Sequence, residues 1–108
     1  MKRLSLAVLT SSLLMLSSQS FAGSSSGAVS NVTANVASRI FFEAGTLAAN
    51  PACATAGSWA LDATTPEGKA MYALILTAQA TDRTVTVTGN NLCTIQPDRE
   101  TVQFMVMN

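Results

Sequence analysis

The chain has 108 residues, with six Lys/Arg, six Asp/Glu and no histidine, a formal net charge of zero and 48% hydrophobic residues. A chain without histidine lacks the side chain that most readily exchanges protons near neutrality and most often ligates transition metals. Basic residues are scattered rather than clustered, which excludes the electrostatic footprint of a protein that binds nucleic acid or an anionic membrane surface.

Residues 1–22 read as a secretory signal peptide. Lys2 and Arg3 form a basic start, residues 4–16 are mostly apolar, and Ser20-Phe21-Ala22 places small residues at the −3 and −1 positions of a cleavage site. The apolar run is well short of the roughly 20 residues that span a bilayer, so no membrane span is expected. Cleavage after Ala22 gives a mature chain starting at Gly23, with four basic and six acidic residues, exported to the periplasm or the medium. In that oxidising setting Cys53 and Cys93 are expected to form one disulfide, contributing about 4 kcal/mol by the loop-entropy estimate. No CxxC is present, so they do not read as a redox pair.

Taken in order, residues 23–28 are expected to be a flexible leader rich in Gly and Ser. Residues 29–42 alternate with period two, Val32, Ala34, Val36, Ser38, Ile40 and Phe42 on one face and Thr33, Asn35, Ala37, Arg39 and Phe41 on the other. A run this long predicts a bend or turn within residues 35–39 and hence two strands. Glu43-Ala44-Gly45-Thr46 and Asn50-Pro51 carry turn chemistry and bracket a small-residue loop that ends at Cys53. Residues 57–62 then read as a short strand with Trp59 and Leu61 on one side, Trp59 serving as core packing rather than as a platform for stacking sugars.

Residues 65–80 carry the clearest helix signal. Thr65 suits the N-cap, Pro66 the first helical position, and Glu67 the positive end of the dipole. Met71, Leu74, Ile75 and Ala78 form the expected apolar face, whereas Tyr72 and Leu76 lie off it. That surplus predicts a helix set deep between sheet and loops, or one whose second face meets another subunit. Tyr72 and Leu76, with Met105 and Met107, are therefore the candidate oligomer interface.

A polar turn at residues 81–83 ends the helix. The alternating Thr84-Val85-Thr86-Val87-Thr88 follows with both valines inward, and Gly89-Asn90-Asn91 marks a turn. Residues 96–100 read as a polar loop in which Asp98, Arg99 and Glu100 make a solvated salt-bridge cluster rather than an acid pair. Asp62 and Glu67 similarly read as capping and dipole partners rather than catalysts. The final strand, residues 101–107, is expected to place Val102, Phe104 and Val106 on one face and Gln103, Met105 and Met107 on the other.

The resulting order, β-β-β-α-β-β, predicts a mainly β domain with one helix, an OB-fold-like small barrel over residues 29–108. If residues 29–42 were a single strand, an α+β sheet packed by a single helix would be the better description. Ser58-Trp59-Ala60, Lys69, the Ala-rich helix and Arg83-Thr84-Val85-Thr86-Val87 resemble the B subunits of subtilase cytotoxin and related pertussis-like bacterial toxins, over residues 57–88. The resemblance implies a ring-forming, usually pentameric OB-fold that carries a toxic A chain to cell-surface sugars. It also implies a serine with nearby aromatic or basic groups holding sialylated glycans. Ser24, Ser25, Ser26 and Ser30 lie in the region where that serine would fall, and the chain has no paired tyrosines.

No catalytic motif is recognisable in the sequence. The expected protein is thus an exported, non-enzymatic binding module without a cofactor, a homo-oligomer with a glycan ligand and an A-chain protein partner. The alternative is a monomeric periplasmic domain of structural or interaction type that binds an envelope protein.

Overall fold

The computed structural model describes residues 22–108; of the expected signal segment, residues 1–21 lie outside the described residues. The described chain forms five strands, β1 (Ser24–Ala34), β2 (Arg39–Ala44), β3 (Trp59–Asp62), β4 (Thr84–Gly89) and β5 (Glu100–Met107), and one helix, α1 (Pro66–Ala80), between β3 and β4. The strands join in a ring in the order β1-β2-β3-β5-β4. The sheet is mixed, because β3 and β5 run parallel while the other pairs are antiparallel.

The long first run is two strands, as the alternation predicted, and its turn falls in the expected place. Asn35 closes the turn by accepting the backbone N–H groups of Ala37 and Arg39 through Oδ1, each at 3.0 Å, the local bonding that makes asparagine a turn residue. Ser38 takes the positive φ of 58° that reverses the chain.

The leader expected at residues 23–28 is instead the first half of β1. Ser24 to Ala28 pair one-for-one with Thr88 to Thr84 of β4. Local composition predicted disorder, but the tertiary contacts supply what the segment lacks by itself. The Ser25 hydroxyl accepts the Trp59 indole N–H at 2.8 Å, and Gly27 lets β1 pass so close to Gly45 that a Cβ would lie 2.7 Å from the Gly45 Cα.

Two bulges correct the expected faces. In β1 the register slips between Ser30 and Thr33, so the alternation does not run unbroken to Phe42. In β5, Gly89 pairs with Val102 while Thr88 pairs with Phe104, leaving Gln103 as the extra residue. A one-residue slip exchanges the faces of everything beyond it. Val102 therefore points inward, but Met105 and Met107 also pack against the core, while Phe104 and Val106 are exposed.

Ile40, Phe42, Trp59, Leu61, Ile75, Ala78, Val85 and Val87 form the centre of the core. The α1 helix contributes only Ile75 and Ala78 to it, with Met71, Tyr72 and Leu74 half-buried at the margin. Its start is as predicted: Thr65 Oγ1 accepts the Gly68 N–H at 3.0 Å and donates to the Asp62 carbonyl at 3.0 Å. Gly68 is required there, since a Cβ would fall 1.7 Å from the Asp62 carbonyl oxygen. The helix ends in a Schellman-type turn, Arg83 N–H donating to the Ala78 carbonyl at 2.9 Å around Asp82 at φ 53°. The Cys53–Cys93 disulfide is present, with Cα atoms 6.2 Å apart, and ties the loop before β3 to the loop before β5.

Candidate functional site

Between the β1–β2 surface and the loops before β3 and β5 lies a small cavity of about 180 Å³, lined by Asn31, Thr33, Phe41, Glu43, Ser58 and Arg99 among others. The alternation along β2 brings Phe41 and Glu43 outward, since Ile40, Phe42 and Ala44 are buried. Thr33 sits directly across from Phe41. The β1 bulge does the rest: Asn31, at φ 50°, donates through its amide to a carboxylate oxygen of Glu43.

Arg99 covers this surface. Its guanidinium carbon is 4.4 Å from the centre of the Phe41 ring, a cation–π placement. Nε donates to Ser58 Oγ at 2.7 Å and Nη1 pairs with Asp98 Oδ1 at 2.8 Å. Further along the same side Arg39 Nη1 reaches Gln96 Oε1 at 3.5 Å. The pocket therefore combines a fixed cation, a carboxylate, an amide, two hydroxyls and an aromatic face around one small space, a set suited to a polar ligand with hydroxyl or acidic groups.

A larger groove of about 430 Å³ runs beside the start of α1, lined by Asp62, Thr65, Glu67, Met71, Ile95 and Gln103 among others. Two of its polar side chains, Asp62 and Thr65, are already occupied by the fold. Asp62 Oδ1 accepts both the hydroxyl and the backbone N–H of Thr64, at 2.6 and 2.9 Å, and these bonds hold its carboxyl below the ordinary 3.8. With Thr65 bound to Asp62 and Gly68, that groove offers capping groups rather than convergent ones.

The expected salt-bridge cluster divides in two. Asp98 and Arg99 pair at the surface, but Glu100 is fully buried and accepts from Gly23 N, Asn50 Nδ2 and Asn91 N. The first residue of β5 faces the interior, so Glu100 is no part of a solvated cluster. The four serines of interest separate as well: Ser25 is buried under Trp59, Ser26 shares a hydrogen bond with Thr86 at 3.1 Å on the outer face, and Ser24 and Ser30 are exposed. None of them lines the Arg99 pocket; the serine that does is Ser58. Of the proposed interface residues, Tyr72, Met105 and Met107 pack partly on the core, while Leu76 is 42% exposed.

Sequence reasoning missed the pocket because its members are spread over β1, β2 and both loops. The outward Phe41 beside the inward Phe42 was the signal available. Among the described residues no group of three or more His, Cys, Asp or Glu could hold a metal ion, and no helix is long and apolar enough to cross a membrane. No protein-family model, curated protein or solved structure matches this chain.

Proposed function

We propose that this chain is an exported, non-enzymatic binding module of OB-fold type, similar in role to toxin B subunits, that holds an acidic glycan in the Arg99 pocket. The ring order β1-β2-β3-β5-β4 with one helix between β3 and β4 supports the OB-fold reading, since OB-folds are five-stranded barrels that bind oligosaccharides across the face of their second and third strands. The observation that carries the function is Arg99 laid over Phe41 beside Glu43, Asn31 and Ser58. At about 180 Å³ the pocket lies below the ~300 Å³ where sites for drug-sized ligands begin, which suits one terminal sugar more than a whole oligosaccharide. Ser58 accepts a hydrogen bond from a cation, an arrangement that quietens rather than activates a nucleophile.

A glycan array probed with the oxidised protein tests this. Acidic glycans bound by the wild type and lost by Arg99→Ala are the expected result; binding that survives Arg99→Ala, or no glycan bound at all, overturns it. Self-assembly and an A-chain partner belong to the same reading, with Leu76 as the exposed contact on the helix. A second reading, a monomeric periplasmic domain that binds an envelope protein, is favoured by Phe104 and Val106, 53% and 50% exposed on the outer face of β5. Light scattering separates the two: a ring-sized oligomer supports the first and a monomer at every concentration the second.

A further inference from the structure

Glu100 presents a carboxylate with 0% exposure and no cationic partner among the described residues, where the one ion pair is Arg99 with Asp98. Its oxygens are met instead by neutral donors: Asn91 N at 2.9 Å, Asn50 Nδ2 at 3.2 Å, and the Gly23 nitrogen, which lies 3.1 Å from one oxygen and 3.2 Å from the other. The space is built to admit these groups and little else. A Cβ on Gly23 would lie 2.4 Å from Glu100 Oε1, and one on Gly89 would lie 1.8 Å from Oε2. The Gly23 carbonyl is itself anchored by the Gly89 N–H at 2.9 Å.

An ionised carboxylate taken out of water without a counter-charge costs several kcal/mol, and neutral donors recover only part of that. The nitrogen centred on this carboxylate is also the atom that signal removal would set free. We propose that cleavage between Ala22 and Gly23 creates the counter-ion of Glu100, so that the mature α-ammonium forms a buried ion pair that locks the start of β1 to β5. The step is a hydrolysis: one water breaks the peptide bond, leaving a carboxylate on Ala22 and, with the proton that the acid gives up, an ammonium on Gly23. No rearrangement is needed, because the nitrogen already stands at bonding distance from both oxygens. The precursor holds one amide N–H where the mature chain holds a charge, so folding is stronger after processing than before it. The proposal rests on reading residues 1–22 as a signal peptide, and it goes beyond ligand binding.

The mature chain would contain just two amines, Gly23 N and Lys69 Nζ, which makes the test direct. The full 108-residue precursor is exported from a bacterial host, the start of the product is read by intact mass, and the native product is treated with limiting acetic anhydride near pH 7. A free α-amine, with its ordinary pKa of about 7.7–8.0, outcompetes lysine under those conditions. The expected product starts at Gly23, acetylates first at the exposed Lys69, and labels at Gly23 at least about tenfold more slowly than in urea, because a paired ammonium is held protonated. Glu100→Gln restores labelling at Gly23. Should that variant fail to fold, the wild-type labelling rates carry the test by themselves. A product that begins elsewhere overturns the cleavage reading and the proposal with it. One that begins at Gly23 but labels as fast folded as in urea overturns the ion pair alone.

Discussion

The pocket around Arg99 and the cluster around Glu100 lie on opposite sides of the chain although one peptide bond joins the two residues. Both regions are polar, and both draw on the loops before β3 and β5. They differ in their access to water. Outside, the Arg99 contacts with Phe41, Ser58 and Asp98 compete with solvent, so they add little to folding and stay available to a ligand. Inside, Glu100 has no surface open to solvent, and each donor that reaches it becomes a constraint on the fold. Equal polarity thus leaves polar groups open to solvent in one place and makes a structural clamp in the other, and burial makes the difference.

The largest effect expected is one that loosens both regions together. Replacing Cys53 and Cys93 by Ala removes the tie between the two loops and should lower the unfolding free energy by about 4 kcal/mol in a denaturant titration. Glu100→Ala breaks the inner region alone. It strands the Gly23, Asn50 and Asn91 donors and should cost about 3 kcal/mol by the same titration; a loss no larger than that of a surface substitution would mean that the clamp does not hold the fold.

Arg99→Ala sharpens the contrast from the other side. Its stability cost should stay within about 1 kcal/mol, measured by thermal melting, while the glycan binding proposed for the pocket should disappear. Asp82→Gly, distant from either region in sequence, replaces a non-glycine residue at positive φ and should raise stability by about 0.5–1 kcal/mol, which calibrates the melting assay.

The smallest effect is the acid limb from Asp62. Its carboxyl is held below the ordinary value by Thr64, so the stability that it adds is fully present above its unfolded value of 3.8 and is lost as pH falls through the lower folded value. Asp62→Asn should flatten that part of a stability–pH curve by removing the increment at neutral pH, where it is fully present, and leave stability at the acid end unchanged.

Much of the fold was legible because its signals are local. Thr65-Pro66 started the helix where it starts, the Thr84 to Thr88 alternation placed Val85 and Val87 inward, and Asn35 announced the first turn. The faces of β5 were not legible, because the bulge at Gln103 is set by pairing with β4 rather than by anything in residues 101–107. The candidate site was legible only as fragments: Phe41 stood out as an outward aromatic, whereas Arg99 read as one charge of a solvated run. The strand expected least, residues 24–28, owes its order to partners about 60 residues away.

By itself, the sequence determined the order of elements, the helix and its cap, the turn residues, the inward valines of β4 and the pairing of the only two cysteines, since each follows from backbone preference, period or count. Only the tertiary structure decided which polar residues are inside. That Glu100 is buried and Arg99 only half-buried, that Ser25 bonds to the Trp59 indole, and that β1 begins at Ser24 all depend on ring closure. The desolvation that distinguishes one carboxylate from another is a property of the assembled neighbours and not of the residue.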